Sequence, residues 1–277
     1  MKIYTFNSKV LTRNSKWLKE HGEPTPPTPS LPPYTIRLRF TEGTTPEFSK
    51  GTLTQVSSTP NIWDLTYENS NWESLCESKS SLVEVIDANT TGVTNMSSMF
   101  RFCTALTSIS LFDTSSVTSM SRMFANSPML TSIPLFVTSN VTDMESMFEE
   151  CSSLTTVPLI DTSNVTNISW MLASCSSLTT VPLFDTSEVI NMSYMFFNSS
   201  NLSSIPLFNT SNVTNMNYTF CNCYNVQSGS LALYQQASTQ ATPPSQHTDA
   251  FKYCGRDTVT GAAELAQIPS DWGGTAS

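Results

Sequence analysis

The chain has 277 residues, a net charge of −9 and only 13% charged residues, about half the usual share. A hydrophobic content of 39% is adequate for a core and argues against disorder along the whole chain. Five of the 13 basic residues lie in the first 19 positions, whereas Val93 to Val226 holds only Arg101 and Arg122 beside eight acids. That anionic, lysine-free body argues against nucleic acid or an anionic membrane as its partner.

Residues 1–22 read as a basic docking peptide. Phe6 and Trp17 are its expected anchors, and Lys9, Arg13, Lys16 and Lys19 would steer it toward an acidic surface. A peptide this short buries too little surface to order alone, so it is expected to order only against a partner. That partner would be other copies of itself in a trimer, or a capsid or tail protein. Asn7, Ser8 and Lys9 interrupt any apolar signal region, and no run approaches the ~18 apolar residues of a membrane span. The expectation is synthesis in the cytosol, with any outside location reached by another route. Residues 23–33 then set six prolines in eleven positions, an extended polyproline-like spacer.

Residues 34–68 read as a β-rich N-terminal cap. Tyr34 to Phe40 alternates, with Ile36, Leu38 and Phe40 on one face, and Glu42-Gly43 and Lys50-Gly51 supply turns.

Residues 69–228 repeat with a period of 24. Val93, Val117, Val141, Val165, Val189 and Val213 form one column. Met96, Phe100, Cys103 and Leu106 head four more, and a degenerate copy with Trp72, Leu75 and Leu82 precedes them. About seven stacked units follow from this. Within a unit, Val93, Met96, Met99, Phe100 and Cys103 have the spacing of one helical face, and Thr and Ser ahead of each valine suit a helix cap. Ile109 and Leu111 alternate as a short strand, which Pro134, Pro158, Pro182 and Pro206 interrupt in later units. The expected fold is therefore an α/β repeat solenoid of leucine-rich-repeat type, one short helix and one short strand per coil. Helices need about 8–10 Å and strands about 4.8 Å, so the coil stack should bend. Residues 229–277 read as a helical C-terminal cap, with short helices at 231–236 and 262–266.

Chemistry is sparse in this pattern. The seven cysteines read as small core residues, with Cys151 and Cys175 stacked one coil apart as buried free thiols. Cys221-Asn222-Cys223 is a poor match to zinc-ligand spacing. His21 and His247 lie at opposite ends and read as surface residues. Glu149 and Glu150 would diverge on a helix, so they do not read as a glycosidase pair. Asp113, Asp161 and Asp185 share a phase and could form a calcium ladder, but Val137 and Asn209 stand in the same column and each aspartate sits where a turn or cap wants one. No catalytic residue, metal or cofactor is expected. One candidate surface remains. The phase of Ser98, opposite the buried face, reads Ser98, Arg122, Ser146, Trp170, Tyr194, Tyr218, and Phe197 lies three residues on. Trp170, Tyr194, Phe197 and Tyr218 would form an exposed aromatic contact surface, or be covered by the C-terminal cap or a neighbouring subunit.

The run Asp161-Thr162-Ser163-Asn164, Val165-Thr166-Asn167 through Cys175-Ser176-Ser177-Leu178-Thr179, resembles the BspA-type leucine-rich repeat of bacterial surface proteins, over roughly residues 69–228. It lacks the asparagine ladder of ordinary leucine-rich repeats. The resemblance implies adhesion or protein binding. The head peptide, spacer and caps are similar to virion fibre or appendage proteins of phages infecting gut Bacteroidota. The expectation is a non-catalytic structural or binding protein of the virion. It would dock to capsid or tail through residues 1–22, with a trimer of its own copies as the other expected partner of that segment, and display repeats to a host protein or glycan. A bacterial cell-surface or secreted adhesin is the alternative.

Overall fold

A computed structural model describes residues 31–276, together with the backbone of residues 3–6 and 9–12. Strands β1 (Ile3–Phe6) and β2 (Lys9–Thr12) pair as an antiparallel hairpin, where the sequence suggested no regular structure. Phe6 falls in β1 and Lys9 in β2; Arg13, Lys16, Trp17 and Lys19 lie outside the described residues.

The remaining strands form one mixed five-stranded sheet in the order β4-β5-β3-β6-β7. These are β3 (Thr35–Phe40), β4 (Thr52–Ser58), β5 (Asn61–Thr66), β6 (Leu82–Asn89) and β7 (Ser108–Ile109). Ile36, Leu38 and Phe40 are buried together, as their alternation requires. Arg37 pairs with Asp64 on β5 and Arg39 with Glu84 on β6, each at 2.8 Å. The sheet runs from the N-terminal segment into the first coil, because β6 pairs antiparallel with β3 and parallel with β7.

Beyond β7 the expected α/β solenoid is not formed. Among the described residues, regular structure amounts to the β1–β2 hairpin, that sheet, two short helices and one 3₁₀ turn, and none of it is a helix inside a repeat. Each coil is instead a run of tight turns. The amides of Met96, Ser98, Phe100 and Phe102 donate to carbonyls one coil on, at 2.8 to 3.1 Å, while Met99, Arg101 and Cys103 donate to carbonyls three residues back. Two residues per coil, such as Ser98 (φ 56) and Phe102 (φ 58), are left-handed. A right-handed helix cannot contain them, since each costs about 1–2 kcal/mol there. Three-residue turns still bring every third side chain inward, which is why Val93, Met96, Met99, Phe100 and Cys103 are all buried despite the missing helix.

Side chains complete the ladders between coils. Asn71, Asn95, Ser119, Asp143, Asn167, Asn191 and Asn215 form a column of parallel bridges. The side chains of Asn95, Asp143, Asn167, Asn191 and Asn215 accept the amide two residues on. The threonines expected to cap helices are buried, and Thr114, Thr138, Thr162 and Thr186 donate their hydroxyls to carbonyls of the next coil. Cys151 and Cys175 are free and fully buried, as expected, and donate to the Phe124 and Phe148 carbonyls at 3.1 Å. The rings of Phe100, Phe124 and Phe148 stack at 5.7 Å, close to strand spacing of about 4.8 Å and far from helix spacing. With no helices in the coils, the cause expected to bend the stack is absent.

The prolines explain why β7 is the last strand of the sheet. Ser110 donates to the Val85 carbonyl at 2.9 Å. Pro134, Pro158, Pro182 and Pro206 occupy the same phase and have no amide hydrogen to give. The C-terminal segment also departs from a helical cap. Helices α1 (Ser230–Thr239) and α2 (Val259–Leu265) are short. Between them the chain rejoins the ladder, with Gln246, Thr248, Ala250 and Lys252 accepting from Met216, Tyr218, Phe220 and Asn222.

Candidate binding face

The outward face of the coils is set by the first left-handed position. It reads Ser74, Ser98, Arg122, Ser146, Trp170, Tyr194, Tyr218 and Asp249, all with positive φ. Left-handed backbone favours glycine and tolerates asparagine, and bulky residues there are uncommon. Trp170 (φ 59), Tyr194 (φ 58) and Tyr218 (φ 56) are therefore held outward by the ladder against their own preference.

The structure brings the four aromatic residues expected on this face together. Trp170 stacks on Tyr194 with ring centroids 4.1 Å apart, and Tyr194 on Tyr218 at 4.9 Å. Phe197 meets Trp170 and Tyr194 edge-on at 5.8 and 5.6 Å. All four remain partly exposed. The C-terminal segment takes the next place along the ladder, where the Thr248 carbonyl accepts from Tyr218 and Asp249 continues the column. Partial burial raises the Tyr194 pKa, with smaller contributions from Tyr218 and Cys221. On the other side of Trp170 the column turns polar. Ser146 is only 3% exposed, between the Arg122 and Trp170 places, and Arg122 pairs with Glu145.

A second outward feature was not expected from the sequence. The other left-handed position reads Phe102, Asn126, Glu150 and Ser174 over four coils. With Thr104, Pro128 and Ser152 these residues line a groove of about 310 Å³. Phe102 is 36% exposed, and the Arg101 guanidinium lies 4.4 Å from its ring centre. The only trace in the sequence is an aromatic residue four places after Ser98 in a column otherwise rich in Ser, Asn and Glu.

Other candidates resolve individually. Glu149 and Glu150 lie in turns, not on a helix, and Glu150 is left-handed (φ 59). Asp161 and Asp185 accept the amides of Ser163 and Ser187 at 3.1 and 3.0 Å, as turn residues do. His247 is no plain surface residue; it is partly buried and stacks on Trp272 at 4.2 Å. His21 lies outside the described residues. Cys223 donates to the Phe196 carbonyl, and burial pushes the thiols of Cys221 and Cys223 up, that of Cys221 to about 11. Among the described residues, no group of three or more His, Cys, Asp or Glu is placed to hold a metal ion. Nor is any helix there long and apolar enough to cross a membrane.

A family model described as "Mycoplasma protein of unknown function, DUF285" matches residues 70–181 and again 155–240. Together the matches span more than half of the chain and take in the whole aromatic face. The chain belongs to the DUF285 family. No curated protein matches it. The DUF285 matches overlap inside the repeats, and they take in β6 and β7 but not β3, β4 or β5 of the N-terminal sheet.

Proposed function

We propose that this DUF285 protein is a non-catalytic binding protein whose contact face for a protein partner is Trp170, Tyr194, Phe197 and Tyr218. One observation carries the reading. Four aromatic side chains are held as a single partly exposed cluster, three of them at backbone positions that disfavour them, although serine serves in the same column at Ser98 and Ser146. Clustered exposed aromatic surface of this kind is what protein interfaces use as anchors.

Family membership and the likeness to BspA-type repeats support a bacterial cell-surface or secreted adhesin. The virion reading rests on the basic head and polyproline spacer, with residues 1–22 docking the chain to a capsid or tail protein, alone or as a trimer. Both readings put the repeats on display. Neither assigns a cofactor.

The test compares full-length wild type with Trp170→Ala/Tyr194→Ala for retention on intact bacterial cells. Retention should fall by at least about tenfold, the loss of one strong anchor, with the protein still folded by circular dichroism. Undiminished retention would move the contact elsewhere. The virion reading makes its own demand: deleting residues 1–22 should abolish co-sedimentation with particles while leaving the repeats folded.

A further inference from the structure

We propose that the groove between Phe102 and Ser174 is a separate site that binds a neutral oligosaccharide of about two sugar rings. Its volume of about 310 Å³ lies at the small end of ligand sites, about the size a short oligosaccharide needs. Its lining combines one exposed ring with hydroxyl, amide and carboxylate groups from four successive coils. A sugar presents the complementary pair, an apolar C–H face to lie on Phe102 and hydroxyls that both donate and accept.

The bonding state of these polar groups separates the groove from the rest of the face. Further along the same column, Asn222 donates to Asn198 at 2.6 Å, and three places over Asn225 donates to Asn201 at 3.1 Å. There the ladder satisfies itself. In the groove, the side chains of Thr104, Asn126, Glu150 and Ser174 make no hydrogen bond among the described residues, and all four are at least partly exposed. Asn126 supplies two donors and an acceptor, Glu150 accepts, and the hydroxyls do either.

Charge narrows the ligand further. No lysine or arginine lines the groove, and Arg101, which lies over Phe102, reaches Glu77 at 3.4 Å. Glu150 would repel an anion, so sulfated or acidic sugars are disfavoured.

The experiment titrates the full-length protein with cellobiose, maltose, chitobiose, lactose and mannobiose, read by saturation-transfer NMR. At least one should bind. Phe102→Asn, which suits the left-handed backbone, and Glu150→Gln should each weaken it at least about tenfold, the value of a lost charge-assisted hydrogen bond or stacking contact. Thermal midpoints near wild type would show that both variants fold. Trp170→Ala should leave sugar binding unchanged. If none of the five binds, or binding survives both groove variants, the proposal fails. Loss on Trp170→Ala with retention in Phe102→Asn would place the sugar on the aromatic stack and overturn it as well. The outcome is independent of whether the aromatic face contacts a protein.

Discussion

Arg122 and Tyr194 occupy the same place in coils three repeats apart, with the same left-handed backbone, yet they do different things. Arg122 reaches Glu145 in the next coil, and Arg101 likewise reaches back to Glu77. Tyr194 lies between Trp170 and Tyr218 in a ring stack. The backbone ladder passes through both regions unchanged: Arg122 and Tyr194 each donate their amides to the coil that follows, at 2.8 and 2.9 Å. The fold therefore leaves the outer side chain free, and what stands there reports on contact rather than on folding.

The comparison breaks first through the core that both regions share. Phe124 lies beneath the polar region and Phe196 beneath the aromatic one, each fully buried in a ring stack. Either replaced by alanine should lose about 3–5 kcal/mol. Denaturant unfolding followed by circular dichroism should keep one transition in both variants. A split transition in one of them would show that the regions unfold as separate units.

Alkali tests the two regions together through their thiols. Burial raises the pKa of Cys103 and Cys151 to about 12, and Cys175 and Cys254 are pushed up as well. Below pH 9 these thiols are neutral in both states. As pH rises from 9 to 12 the unfolded chain loses the protons first, so it binds fewer than the native state and stability falls. Each such thiol costs about 1.4 kcal/mol per pH unit in that window. Cys151→Ser/Cys175→Ser should flatten the fall, since Ser127 and Ser199 already fill the same ladder positions. An unchanged slope would mean that these thiols ionise without unfolding.

Smaller effects separate the outer columns. Tyr194→Ala should lose about 1–2 kcal/mol through its three ring contacts, and Arg122→Ala less than about 1 kcal/mol, because its ion pair is largely solvated. Equal losses in thermal melts would erase the distinction between the regions. The smallest change is a gain: Glu150→Gly relieves a left-handed residue and should stabilise the chain by up to about 1 kcal/mol. A loss instead would mean that the Glu150 side chain has a structural partner.

Much of the inside of this molecule is legible without coordinates, because burial in a stacked array repeats with the chain period. Met96, Phe100, Cys151 and Cys175 could be placed in the core from the 24-residue recurrence alone. The outward position of Trp170 and Tyr194 was also reachable, though by an argument from helical geometry that the turns replace. Thr162 misled, because a threonine ahead of a valine serves a helix cap and an inter-coil hydroxyl ladder equally well. The groove at Phe102 was hidden for a related reason: its residues lie in four coils and face one way only once the second left-handed position is known.

What the sequence determined by itself is which residues are inside, since hydrophobic burial depends on period and composition and not on the backbone path between contacts. The backbone path was decided by tertiary structure. An apolar residue at every third or fourth position satisfies a helix or a chain of tight turns, and locally the helix is the less strained. Hydrogen bonds to the coils on either side tip the choice: each turn gains partners at strand-like spacing, which a helix, saturated by its own bonds, would not have.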